Sequence, residues 1–186
     1  MVGDQILDAL NNLKKTLGGE RISWVEQERF HITLRFLGKT KVSSIEKIGE
    51  TLKKNVSVRE AFHVSVTGPG SYGPRKKPRV IWLGFSNSAP VDSLKQEVDQ
   101  ALHSIGIVFP DQPFSAHLTL GRVRNLKDTK IFYETLGNLK NQFEGQILIN
   151  RVVFYRSILG GGGPEYIPLE GLDFTEGTGT GGNQPL

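Results

Sequence analysis

The stretch RFHITLRFLG, residues 29–38, sets His31 and Thr33 on alternate positions of an otherwise apolar run, and SAHLTLGRV, residues 115–123, repeats the arrangement with His117 and Thr119. In an extended chain, residues two apart share a face. His31, Thr33 and Arg35 therefore point one way, and Ile32, Leu34 and Phe36 the other. By the same parity His117, Thr119 and Gly121 stand opposite Leu118 and Leu120. The apolar faces read as core. The polar faces need water, each other or a ligand, because buried imidazoles and hydroxyls are costly without partners. One His-x-Thr alone reads as a satisfied pair on a wet sheet face. Two copies in matching strand contexts, each followed by leucine, read as two halves of one site.

Around these runs the apolar periodicity alternates between helix and strand. Ile6, Leu7, Leu10, Leu13 and Leu17 predict a helix with Asp4 as its N-cap and Gly18-Gly19 as its stop. Further helices are predicted from about Val42 to Lys54, Val91 to Ile105 and Thr129 to Lys140. Strands are read in RISWV, HITLRFL, FHVSVTG, RVIWLGF, HLTLGRV and the long QILINRVVFYRS. Several strands follow one another directly, which favours an α+β fold with largely antiparallel sheets. The strand–helix–strand order around each His-x-Thr points to a duplicated unit about a pseudo-twofold axis. Residues 1–176 read as one two-lobed domain, and 177–186, the low-complexity run GTGTGGNQPL, as a disordered tail.

The chain's 186 residues can bury a substantial apolar interior. Lys and Arg exceed Asp and Glu by 23 to 19, a mild excess that suits a polyanionic partner without demanding one. There is no cysteine, which excludes disulfides, a thiolate nucleophile and a Cys-based zinc site. No signal peptide or membrane-length apolar run is read, and the expected compartment is the cytoplasm.

Two histidines facing one cleft suit phosphodiester cleavage. Imidazole titrates near neutrality, so one ring can take a proton from the nucleophile while the other gives one to the leaving oxygen. Thr33, Thr119 and nearby arginines can hold the non-bridging oxygens and neutralise developing charge. No His-Glu-x-x-His occurs and no carboxylate stands at ligand spacing from either histidine, so no metal or other cofactor is expected. Spacing assigns neither acid nor base role to either histidine.

HITLRFLG and HLTLGRV resemble the paired motifs of the 2H phosphoesterases, and within them the RNA 2′,3′-cyclic phosphodiesterases of LigT type, also known as 2′-5′ RNA ligases. ISWVEQERFHITL is similar to the family's lead-in, GSYGPRKKPRVIWLG to its central loop and strand, and VVFYRSILGGGGPEYIPL to its closing segment. The resemblance implies two similar lobes with antiparallel sheets, outer helices and the active cleft between them. It makes His31 the proton donor to the leaving 3′ oxygen and His117 the acceptor that activates water, leaving a 2′-phosphate. Ligation of cyclic-phosphate and 5′-hydroxyl RNA ends is the reverse-type reaction it implies for the same site. One departure is legible: the apolar strand that precedes the first helix in the family is not read here, which would leave a sheet one strand short. A phosphodiesterase on a small cyclic phosphate, such as a cyclic ADP-ribose phosphate, and a non-catalytic nucleotide-binding module are the alternatives. A pure binding module has no use for two acid–base groups. The partner expected is RNA with a 2′,3′-cyclic phosphate end, and the protein is read as a monomer.

Four further features bear on the site. Arg35 shares the parity of His31 and is a candidate phosphate ligand. Arg122 resembles the family's arginine just after the second motif; alternation points it away from His117 unless a bulge at Gly121 re-aims it. Tyr72 can stack a base, and Arg75, Lys76, Lys77 and Arg79 in PRKKPR can guide RNA backbone. Trp82 is read as core, His63 and His103 as structural or exposed, and Gly160–Gly163 as a flexible turn.

Overall fold

The computed structural model describes residues 2–110, 112–160 and 163–176. The tail expected at 177–186, and Gly161 and Gly162 of the turn expected at Gly160–Gly163, lie outside the described residues. Among the described residues, four α-helices and seven strands form: α1 (Asp4–Thr16), β1 (Arg21–Trp24), α2 (Ile45–Asn55), β2 (Phe62–Tyr72), β3 (Val80–Ser86), α3 (Ala89–Ser104), β4 (His117–Asn125), α4 (Thr129–Leu139), β5 (Gln146–Ile149), β6 (Arg151–Gly160) and β7 (Gly163–Asp173). All pairings within the two sheets are antiparallel. The larger runs β1-β4-β3-β2-β5, and β6 and β7 form a hairpin.

Two cores sit behind these sheets. In the first, Ile6, Leu10 and Leu13 of α1 and Phe132, Leu136 and Leu139 of α4 cover one face of the five-stranded sheet. They meet Val64, Ile81, Leu83, Leu118 and Leu120. In the second, Ile48 of α2 and Leu94, Val98 and Leu102 of α3 pack with Val152, Phe154 and Leu172 of the hairpin. Each fully buried Leu or Ile here contributes about 1.5–3 kcal/mol. Leu34, Phe62 and Ile149 touch both cores and join the lobes.

Three local outcomes differ from the sequence reading. Gly3, not Asp4, takes the N-cap position of α1, and Asp4 lies in the first turn, where a negative charge suits the helix dipole. The long run QILINRVVFYRS divides at Asn150, whose carbonyl accepts from Phe174 N, so β5 joins the large sheet and β6 the hairpin. The expected strand HITLRFL is not a ladder strand. A 3-10 turn at Gln27–Arg29 diverts the chain, leaving only Ile32 paired, by an isolated antiparallel bridge to Leu118. Ahead of α1, Val2 makes one antiparallel bridge to Ile147 at the sheet edge.

Candidate active site

The Ile32–Leu118 bridge lays the two His-x-Thr motifs side by side in opposite directions. Ile32 and Leu118 both turn into the core of the large sheet. Alternation about that bridge puts His31, Thr33, His117 and Thr119 together on the opposite face. The pseudo-twofold relation inferred from sequence thus has a physical centre.

Both histidines are held alike. His31 Nδ1 lies 2.8 Å from the Arg29 carbonyl oxygen, and His117 Nδ1 lies 2.8 Å from that of Ser115. A carbonyl only accepts, so each ring carries its proton on Nδ1 and donates it two residues back. That leaves Nε2 of each ring for chemistry. A tyrosine meets each imidazole edge-on: Tyr72 at 5.0 Å from His117 and Tyr166 at 4.9 Å from His31, between ring centroids. Behind them stand Trp82, 5.2 Å from Tyr72, and Tyr155, 5.9 Å from Tyr166. Tyr72 Oη is 3.4 Å from His117 Nδ1, a long contact beside the bond to Ser115.

Register resolves the question of Arg122. Thr119 pairs with Trp82 and Gly121 with Ile81, so Leu120 is the extra residue of a bulge in β4. Leu120 and Gly121 both stay buried, and Arg122, paired with Val80, returns to the face of Thr119 and His117. Ser23, opposite Arg122 in β1, lies on that face too. Gly121 allows this because a Cβ there would come within 3.0 Å of both Ile22 and Trp24. The same parity corrects the reading of Trp82. It lies on the site face rather than in the core, over Gly70, where a Cβ would fall 2.3 Å from the indole.

Arg35 is committed elsewhere. Its Nε donates to Asp99 Oδ1 at 2.7 Å and its Nη2 to Oδ2 at 2.5 Å, while its guanidinium lies 4.5 Å from the Phe109 ring centre. Lys95 also reaches Asp99, at 2.8 Å. Burial pushes the Asp99 carboxyl up, but hydrogen bonds from Arg35 and Lys95 outweigh it and hold the group below the ordinary carboxylate value. The expected phosphate contact is therefore replaced by a tie between the first motif's segment and α3. The basic run closes the β2–β3 hairpin: Lys77 N donates to the Pro74 carbonyl and Arg79 N to that of Tyr72. Arg75, Lys76, Lys77 and Arg79 are exposed, with Arg75 5.4 Å from the Tyr133 ring centre. Among the described residues, no group of three His, Asp or Glu side chains is placed to hold a metal ion.

Sequence reasoning missed Tyr166, Tyr155 and the Asp99 tie. The only signal for Tyr166 was a tyrosine inside the closing segment EYIPL. Nothing local says which ring it meets, because β7 comes far from His31 in sequence.

The model of the LigT-like phosphoesterases matches residues 1–82. Relatives named RNA 2′,3′-cyclic phosphodiesterase match more of the chain. One from Aeropyrum pernix is 31% identical across 81% of this chain and 85% of its own length, and one from Thermotoga maritima 32% identical across 83% and 81%. The chain belongs to the LigT-like phosphoesterases. Solved structures show the same fold at low identity. A Thermus thermophilus protein superposes with a TM-score of 0.74 at 18% identity, covering 94% of both chains. LigT of E. coli in complex with 3′-AMP gives 0.65 at 17%, covering 95% of both. For a LigT-like phosphoesterase, the shared α+β architecture is the expected one. No helix among the described residues is long and apolar enough to cross a membrane.

Proposed function

We propose that this chain hydrolyses the 2′,3′-cyclic phosphate end of RNA to a 2′-phosphate by acid–base catalysis between His31 and His117. The observation that carries the reading is the matched pair of imidazoles on one face, each pinned through Nδ1 and offering Nε2. Water attacks phosphorus and gives a proton to His117 Nε2. The bond from phosphorus to the 3′ oxygen breaks, and His31 Nε2–H protonates that oxygen. The products are a 2′-phosphate monoester and a free 3′ hydroxyl. With an RNA 5′ hydroxyl attacking in place of water, the same steps, with the proton passing to His117 and the 3′ oxygen leaving, make a 2′-5′ linkage.

Thr33, Thr119 and Arg122 would hold the non-bridging oxygens, where fixed donors act most strongly as charge develops. Tyr72 would face the nucleoside, and Arg75, Lys76, Lys77 and Arg79 would meet RNA backbone farther from the reacting phosphate. Arg35 acts as a positioning residue through Asp99. The names of the Aeropyrum and Thermotoga relatives support this substrate class over a small cyclic nucleotide. The test is incubation with an oligoribonucleotide 2′,3′-cyclic phosphate in EDTA, with the position of the product phosphate identified. The expected product is the 2′-phosphate. Saturable binding without turnover would leave a nucleotide-binding module, and a 3′-phosphate product would reverse the regiochemistry.

A further inference from the structure

The bulge that re-aims Arg122 also starts a row of cations, whose next member has no role in the chemistry above. Two positions on, Arg124 Nε donates to Ser23 Oγ at 3.0 Å, and Ser23 faces Arg122 across the β1–β4 ladder. Arg124 therefore lies on the same face as His117, Thr119 and Arg122. Both arginines are exposed, and among the described residues neither has a carboxylate within ion-pair distance. The part-buried Arg35, Arg59 and Lys95 are all ion-paired. Glu20, at the strand's end, is engaged elsewhere: its carboxylate accepts from Lys127 N at 2.7 Å. Two like charges, about 6.5 Å apart along a strand, with no anion between them make a site that an anion completes. The single bond from Arg124 Nε to Ser23 fixes the fork and leaves both Nη groups for a ligand.

We propose that this face holds a second phosphate subsite, Arg124 with Ser23, which takes the 5′-phosphate of the nucleotide bearing the cyclic phosphate. The inference rests on the proposed function, since it places the cyclic phosphate between His31 and His117. From there, the next phosphate of an RNA 3′ end is the one on the 5′ carbon of the same ribose. A row of donors along one strand is the way a protein tracks a backbone without reading sequence. The site thus distinguishes the end of an RNA chain from a free nucleoside 2′,3′-cyclic phosphate.

The experiment compares a nucleoside 2′,3′-cyclic phosphate with the same compound carrying a 5′-phosphate. Wild-type protein should show kcat/KM about tenfold higher on the 5′-phosphorylated form, the scale of one charge-assisted contact. Arg124→Gln should remove that preference while leaving turnover of the form without a 5′-phosphate within about twofold of wild type, and Arg124→Lys should keep part of it. A preference undiminished in Arg124→Gln, or equal loss on both substrates, overturns the subsite. If neither compound is turned over by wild type, it is the proposed function that fails. The subsite is then read from affinities for a nucleoside 2′,5′-bisphosphate against the 2′-monophosphate. There the same loss in Arg124→Gln supports the subsite, and an unchanged ratio overturns it.

Discussion

At the scale of the residue, each imidazole is useful because one nitrogen is spent on the backbone. His31 and His117 each give Nδ1–H to a carbonyl two residues back, which fixes the tautomer and aims Nε2. Replacing either by Ala should lower turnover by about 10²–10⁴-fold, the range for a lost general acid or base. The double variant should fall little further, because the two act in one transition state. Near-normal turnover in either single variant would end the two-histidine mechanism. One ring must be neutral while the other is protonated, so kcat/KM should describe a bell against pH. His117→Ala should flatten its acid limb and His31→Ala its alkaline limb. The opposite pattern would exchange the two roles.

At the scale of the element, the segment after the first motif is held by charge where a sheet ladder is missing. Asp99 on α3 receives Arg35 and Lys95, and its carboxyl is held below the ordinary value. A depressed carboxyl contributes stability that is present above the unfolded pKa, about 3.9, and lost as pH falls through the folded one. Asp99→Asn should therefore destabilise the protein by about 1–3 kcal/mol at neutral pH. The gap from wild type should close as pH drops from about 5 toward 2 in thermal melts. A gap constant with pH would mean that the pair contributes only shape. On the large sheet, Gly70 serves a different element-scale purpose: its bare backbone admits the Trp82 indole beneath Tyr72. Gly70→Ala should displace the indole and, through Tyr72, disturb the His117 side. The expected result is weaker substrate binding, seen as a raised KM larger than any change in melting temperature can explain.

At the scale of the whole molecule, two cores are joined by shared apolar side chains, and exposed positive charge gathers on the large sheet. The loop that closes β2 and β3 holds Arg75, Lys76, Lys77 and Arg79, all exposed. Neutralising these four should shallow the salt dependence of oligoribonucleotide affinity, because fewer counterions are released on binding. A mononucleotide substrate should be little affected, and equal loss on both would assign the loop to folding. Activity should also persist in EDTA. Chelation that abolishes turnover, with rescue by zinc or manganese, would require a metal-bound mechanism.

What the sequence determined by itself was set by the period of single elements, although the ladder expected of HITLRFL did not form. Helical spacing located α1 to α4, because each must turn one apolar stripe to a core. Alternation in the two motifs separated Ile32 and Leu118 from His31 and His117, because pleat geometry is local. What only the tertiary structure decided depended on how elements meet. Alternation alone pointed Arg122 away, and one extra residue at Leu120, visible only against β3, brought it back. Arg35 had the right parity, yet a carboxylate on α3 claimed it. Tyr166 stands at His31 because the β6–β7 hairpin packs there. Local geometry is fixed by the backbone bonds of a few residues. Register and partner choice are set by long-range packing, which neighbouring residues do not encode.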